Sequence, residues 1–311
     1  MLIQVKKATI WLILFTTCLS GCSQDNNTYT LFENPVYDFP YQLTGPDNTW
    51  KLPGTLVEIS GVSFIDNDRL ACIQDEKGIV YIFNLKSAEV ELTIDFGEDG
   101  DYEGIEIIEN DAWILKSNGT LYQVTDYLKK AKPGVNKYTT ALTGRNDTEG
   151  LAYDPLNENL LIACKENPFV DEKTGSGLKA IYSFNLETKL IGLEPFLLIN
   201  LDTIRYYQNY NKMTRPGADI QAFIEPKKGD ETFKPSGIAI HPVTGNVFIL
   251  GSTGKLLLVF SRKGDMLAMI GLRSKFFSQP EGICFSPDGT LYIANEGDGR
   301  EGTILKFESK N

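Results

Sequence analysis

Histidine is almost missing from this chain: His241 is the one copy in 311 residues. It falls in the turn after an alternating run, which makes it a turn residue rather than a base. Serine and cysteine triads and His-ligated metal sites are therefore excluded as working hypotheses. Basic residues are scarce as well, 30 Lys+Arg against 41 Asp+Glu for a net charge of −11. That balance excludes a basic stripe for gripping nucleic acid. The five cysteines contain no C-x-x-C pair, so neither a zinc site nor a disulfide framework is expected. Cys72, Cys164 and Cys284 lie in apolar runs and read as small buried hydrophobes. The apolar run Ala8–Leu19 is too short to cross a hydrocarbon core of ~30 Å.

That run has a different use. Lys6-Lys7 precedes it and Leu19-Ser20-Gly21-Cys22 follows, the order of a secretory signal that ends in small residues. The tetrapeptide resembles a bacterial lipobox, which implies cleavage before Cys22 and acylation of its thiol. The expected organisation is a signal peptide at 1–21, a lipidated cysteine and tether at 22–36, and a folded domain at 37–311. The mature chain loses Lys6 and Lys7 but no acid, so its charge falls to −13. Attachment to the membrane of the bacterial cell envelope, outside the cytoplasm, would then rest on the lipid rather than on charge.

Internal repetition decides the architecture. Ser60-Gly61-Val62, Glu103-Gly104-Ile105, Glu149-Gly150-Leu151, Ser236-Gly237-Ile238 and Glu281-Gly282-Ile283 each open a short alternating strand, with glycines 43, 46, 87 and 45 residues apart. Turns such as His241-Pro242-Val243-Thr244-Gly245 and Ser286-Pro287-Asp288-Gly289 follow, then a second and a third strand. Outer fourth strands read at Glu91–Phe96, Tyr138–Leu142, Phe196–Leu201 and Leu267–Gly271. The pattern predicts an all-β fold, a five-bladed β-propeller of four-stranded blades. The long gap is too polar and broken for a sixth blade and reads as an insertion at about 202–233, a short helix and a loop carrying Arg205, Tyr206, Tyr207, Tyr210 and Arg215. The fifth repeat lacks an outer strand, and the N-terminal run Tyr37–Leu43 is expected to supply it.

Leu56–Gly61, Gly100–Glu106, Phe233–Pro242, Gln279–Phe285 and Leu291–Gly297 together resemble the SdiA-regulated (YjiK-type) family over roughly residues 50 to 309. The resemblance implies a five-bladed propeller distantly similar to NHL-repeat propellers, with calcium bound in at least one member. It implies no particular reaction.

Aligning the glycines places Ser60, Glu103, Glu149, Ser236 and Glu281 at one mouth of the central channel. Three carboxylates and two hydroxyls suit a hard cation, and Ca²⁺ takes 6–8 oxygens. The competing structural role is pairing of these glutamates with Lys116 and Lys165 or with free backbone N–H groups. Glu58, Glu166, Asn295 and Glu296 are candidates for the rim. Asp95–Glu106 imitates an EF-hand loop but has Gly97 at the third position and no flanking helices, so it is set aside. The leading expectation is a lipid-anchored, monomeric binding or scaffold protein for an envelope protein or small molecule. The alternatives are a calcium-dependent hydrolase of phosphoesters or lactones and a glycosidase using the central carboxylates.

Overall fold

The computed structural model describes residues 29–129, 132–171, 175–213, 232–297 and 299–310, without the side chains of Tyr29 and of residues 210–213. Cys22, the expected signal segment and Arg215 lie outside the described residues, as does the side chain of Tyr210.

Two N-terminal strands come first, β1 (Tyr29–Glu33) and β2 (Asn48–Lys51). Blade 1 is β3 (Ile59–Asp66), β4 (Arg69–Gln74), β5 (Ile79–Asn84) and β6 (Glu89–Asp95), and blade 2 is β7 (Tyr102–Ile108), β8 (Asp111–Lys116), β9 (Leu121–Thr125) and β10 (Gly134–Tyr138). Blade 3 is β11 (Thr148–Asp154), β12 (Asn159–Cys164), β13 (Leu178–Asn185) and β14 (Leu197–Asn200), after which the helix α1 (Leu201–Met213) begins. Blade 4 is β15 (Gly237–Ile240), β16 (Val247–Gly251), β17 (Leu256–Phe260) and β18 (Met266–Gly271). Blade 5 is β19 (Pro280–Phe285), β20 (Leu291–Asn295) and β21 (Thr303–Phe307). The chain is thus a five-bladed β-propeller of antiparallel blades.

Middle strands are buried on both faces, as β4, β12, β16 and β20 illustrate, whereas the outer β6 and β10 are largely exposed. The cause is lateral stacking. Each of five apolar clusters sits between two neighbouring blades: Ile73 with Ile105, Trp113 with Leu160, Ile181 with Ile249, Phe248 with Ile293, and Cys284 with Cys72. Cys72, Cys164 and Cys284 are free and buried, the hydrophobic role expected of them.

The repeat glycines explain how five inner strands meet. A Cβ on Gly61 would stand 3.1 Å from the amide of Ile105, one on Gly104 2.9 Å from Leu151, one on Gly150 3.0 Å from the amide of Ile238, one on Gly237 2.6 Å from the carbonyl of Glu281, and one on Gly282 3.1 Å from the amide of Val62. Each glycine therefore packs against the next blade, and the fifth returns to the first. Only a residue without a Cβ permits so close an approach of backbones.

Closure differs from the sequence expectation in two respects. The outer strand of blade 5 is β2, pairing from Asn48↔Lys306 to Lys51↔Thr303, and not the run Tyr37–Leu43. Pro40 has no N–H to give to a ladder, and the run instead drives Tyr41 and Leu43 into the core between blades 4 and 5. Trp50 on β2 donates its indole N–H to the carbonyl of Leu85 at 2.7 Å, tying blade 5 to blade 1. Residues 29–33, expected in the tether, form β1 and add a fifth strand to blade 4 by pairing with β18. The outer strand of blade 2 is also displaced, Gly134–Tyr138 rather than Tyr138–Leu142, because Leu142 turns inward to be buried between blades 2 and 3.

In α1, Leu201 and Ile204 are buried against blades 3 and 4, and Tyr207 meets Phe32 of β1 with ring centroids 4.4 Å apart. Arg205 is held by Asp202 and Thr232, so its side chain braces the insertion. Among the described residues no helix is long and apolar enough to cross a membrane.

Candidate functional site: the central mouth

One narrow depression opens at the start of the inner strands, lined by Ser60, Glu103, Glu149, Ser236 and Glu281, the five glycines, and Val62, Ile105, Leu151, Ile238 and Ile283. The five residues aligned from sequence do converge. The pairing register breaks across Ser60, Glu103, Glu149 and Glu281, each flanked by residues paired to consecutive partners. These are β-bulges, which re-aim one side chain out of the alternation. At Glu103, Glu149 and Glu281 the bulge brings the carboxyl to the mouth, and the aliphatic residue after each glycine forms an apolar floor.

The two serines and three glutamates then diverge in role. Ser60 Oγ–H donates to the carbonyl of Tyr102 and Ser236 Oγ–H to the carbonyl of Pro280, both at 2.7 Å. Each ties its blade to the next. Glu149 is 6% exposed and pairs with Lys165, with Nζ 2.5 Å from Oε1. Asp147 stands 3.8 Å from the same ammonium. Burial opposes charge on Lys165, but Glu149, Asp147 and Glu103 together hold its proton more firmly than usual.

The three carboxyls also hold their protons more firmly than usual. Burial, the Glu149 charge and Asp101 push Glu103 well above the carboxylate range. Burial raises Glu149 despite Lys165. Burial, with repulsion from Glu149 and Glu296, pushes Glu281 up to about 8. One ammonium among three crowded carboxyls leaves the mouth short of positive charge, and protons make up the difference.

The rim residues scatter. Lys116 lies over the ring of Tyr102, 5.1 Å from its centroid, instead of pairing with a mouth glutamate. Glu166 joins Lys234 and Lys179, the latter at 3.9 Å. Asn295 is buried and donates to Phe276 and Thr303, while Glu296 accepts from Gln279. Glu58 stands near Asp75, whose carboxyl burial and Glu58 both raise.

Sequence reasoning picks out Glu58 alone from a second tier and misses its other members. Three residues before each glycine stand Glu58, Asp101, Asp147, Lys234 and Gln279. Asp101, Asp147 and Gln279 each act on the glutamate two residues later, as a hydrogen-bond partner or a neighbouring charge. The signal was available as the recurring D/Q-x-E-G spacing. His241 lies in the turn at the far end of β15, distant from this tier. Its Nδ1 accepts from the amides of Val243 and Thr244, both at 3.2 Å, and burial lowers its pKa.

The mouth offers oxygen donors in excess of positive charge, chemistry that fits a hard cation. Lys165 already occupies part of that role, and among the described residues no three Asp, Glu, His or Cys side chains stand at metal-holding spacing. A bound cation would have to draw the glutamates together and displace the ammonium.

No family model and no curated protein matches the chain. Solved structures do resemble it. A luciferin-regenerating enzyme is 12% identical with a TM-score of 0.45, over 85% of this chain and 95% of that one. Streptogramin B lyase is 10% identical with a TM-score of 0.45, over 84% and 97%. A protein of unknown function from Bacteroides thetaiotaomicron is 13% identical with a TM-score of 0.48, over 91% and 63%.

Proposed function

We propose that this chain is a lipid-anchored binding protein of the bacterial cell envelope, of the SdiA-regulated kind, which takes a cationic ligand at the central mouth. One observation carries the reading: Glu103, Glu149 and Glu281 converge on a single depression with Lys165 as the ammonium paired among them. Calcium is the cation we propose first. Glu103, Glu149 and Glu281 would hold it, and its charge would release the protons that burial now keeps on them. Lys165 would be exchanged outward, toward Asp147 and Glu166. The hydroxyls of Ser60 and Ser236 are engaged with backbone carbonyls, which supports binding rather than nucleophilic chemistry.

Two experiments test the reading separately. Growth with a fatty-acid analogue should label the wild type and not Cys22→Ala, and an unlabelled wild type would refute the anchor. Calorimetry with calcium should give heat in the wild type that Glu149→Gln reduces. The absence of heat in the wild type would refute calcium as the ligand.

A further inference from the structure

The register of the strands fixes which end of the propeller carries the tether. Each inner strand starts at the mouth, so with antiparallel pairing the last strand of a four-stranded blade ends there. In blade 4, Gly237 at the mouth pairs with Leu250, Gly251 with Leu256, and Leu256 with Gly271. Tyr29 pairs with Gly271. The chain therefore emerges toward its N-terminus on the mouth side, at the outer edge of blade 4, and β1 runs from there toward the opposite face.

Six residues, Ser23 to Thr28, separate Cys22 from Tyr29. The seven steps span at most ~25 Å fully extended. A strand of six residues is itself ~20 Å long. To seat the opposite face on a bilayer, the tether would have to double back along the full height of blade 4, leaving almost no slack. Seating the mouth side requires no such path. The domain's negative charge gives no competing attraction to an anionic surface.

We infer that the lipid anchor and the central mouth share one face, so that the mouth opens onto the membrane surface and meets its ligand there. The inference rests on acylation of Cys22 and assigns the bilayer surface as the partner of the mouth-side loops. It does not depend on which cation enters the site.

Single-cysteine fluorophores in acylated, vesicle-bound protein test it. Ser274→Cys lies in the exposed mouth-side loop after β18, Asp99→Cys on the mouth side across the channel, and Lys263→Cys in the exposed turn between β17 and β18 on the opposite side. Cys72, Cys164 and Cys284 are buried and should not take the label. With quencher-bearing lipids, the Ser274→Cys and Asp99→Cys labels should lose most of their emission and the Lys263→Cys label should keep it. Quenching of the Lys263→Cys label equal to or above the others, or quenching at Ser274→Cys alone, would overturn the orientation. Mass spectrometry of the same samples separates the two failures: an acylated chain with the wrong pattern refutes the orientation only, and an unacylated chain refutes the anchor and the orientation together.

Discussion

Arg262 of blade 4 reaches across to Asp154 at the end of β11 in blade 3, where the carboxylate is fully buried. Asp154 also accepts from the amide of Leu156 at 3.1 Å and from Asn157 at 2.8 Å, so one side chain closes a turn and joins two blades. Removing one partner of a buried pair leaves the other uncompensated, at a cost of about 3–5 kcal/mol. Asp154→Ala should lower stability by that order in chemical denaturation. Replacing both, Asp154→Leu with Arg262→Met, should cost less than the single change.

The glycine ring predicts a contrast. A Cβ at Gly237 would stand 2.6 Å from a backbone oxygen, whereas one at Gly54 would meet nothing within 4 Å. Gly237→Ala should destabilise by about 1–3 kcal/mol through overpacking, and Gly54→Ala should be near neutral. Comparable melting of the two variants would contradict the ring.

Truncation should separate the two N-terminal strands. Removal through Glu33 takes away an added edge strand of blade 4 and the buried Leu31. Removal through Lys51 also strips Tyr41, Leu43 and β2 with the Trp50 bond to Leu85. The first should melt lower but cooperatively, and the second should fail to give a cooperative transition.

Repetition made the blade count, the inner strands and the convergence of Glu103, Glu149 and Glu281 legible, because glycines that must touch their neighbours recur at the blade period. Closure was less legible. Tyr37–Leu43 alternates as a strand does, yet Pro40 and the buried Tyr41 assign it to packing, while Asn48–Lys51 is too short and polar to stand out. The hydroxyls of Ser60 and Ser236 could have faced the mouth or the next blade, and only the three-dimensional approach of Tyr102 and Pro280 decides it.

Acid should act through His241. Burial depresses its pKa in the folded chain, so the native state takes up a proton less readily than the unfolded one. The corresponding stability is present above the unfolded value near ~6.5 and is lost as pH falls below it. The mouth glutamates, raised in the folded state, act in the opposite sense and lose their contribution as pH rises. The two are separable by comparing His241→Gln with the wild type: denaturation midpoints should converge as the pH is lowered from 7 to 5. Parallel profiles would contradict the assignment.

The most direct measurement is thermal unfolding with calcium and with chelator, in the wild type, in Glu103→Gln, Glu149→Gln and Glu281→Gln, and in Lys165→Met. Ligand at 100-fold its Kd stabilises the native state by about 2.7 kcal/mol. The wild type should melt higher in calcium, each Glu→Gln variant should respond less, and Lys165→Met should respond more because its competing ammonium is gone. A wild type indifferent to calcium, or three glutamine variants with the full response, would contradict calcium binding at the mouth.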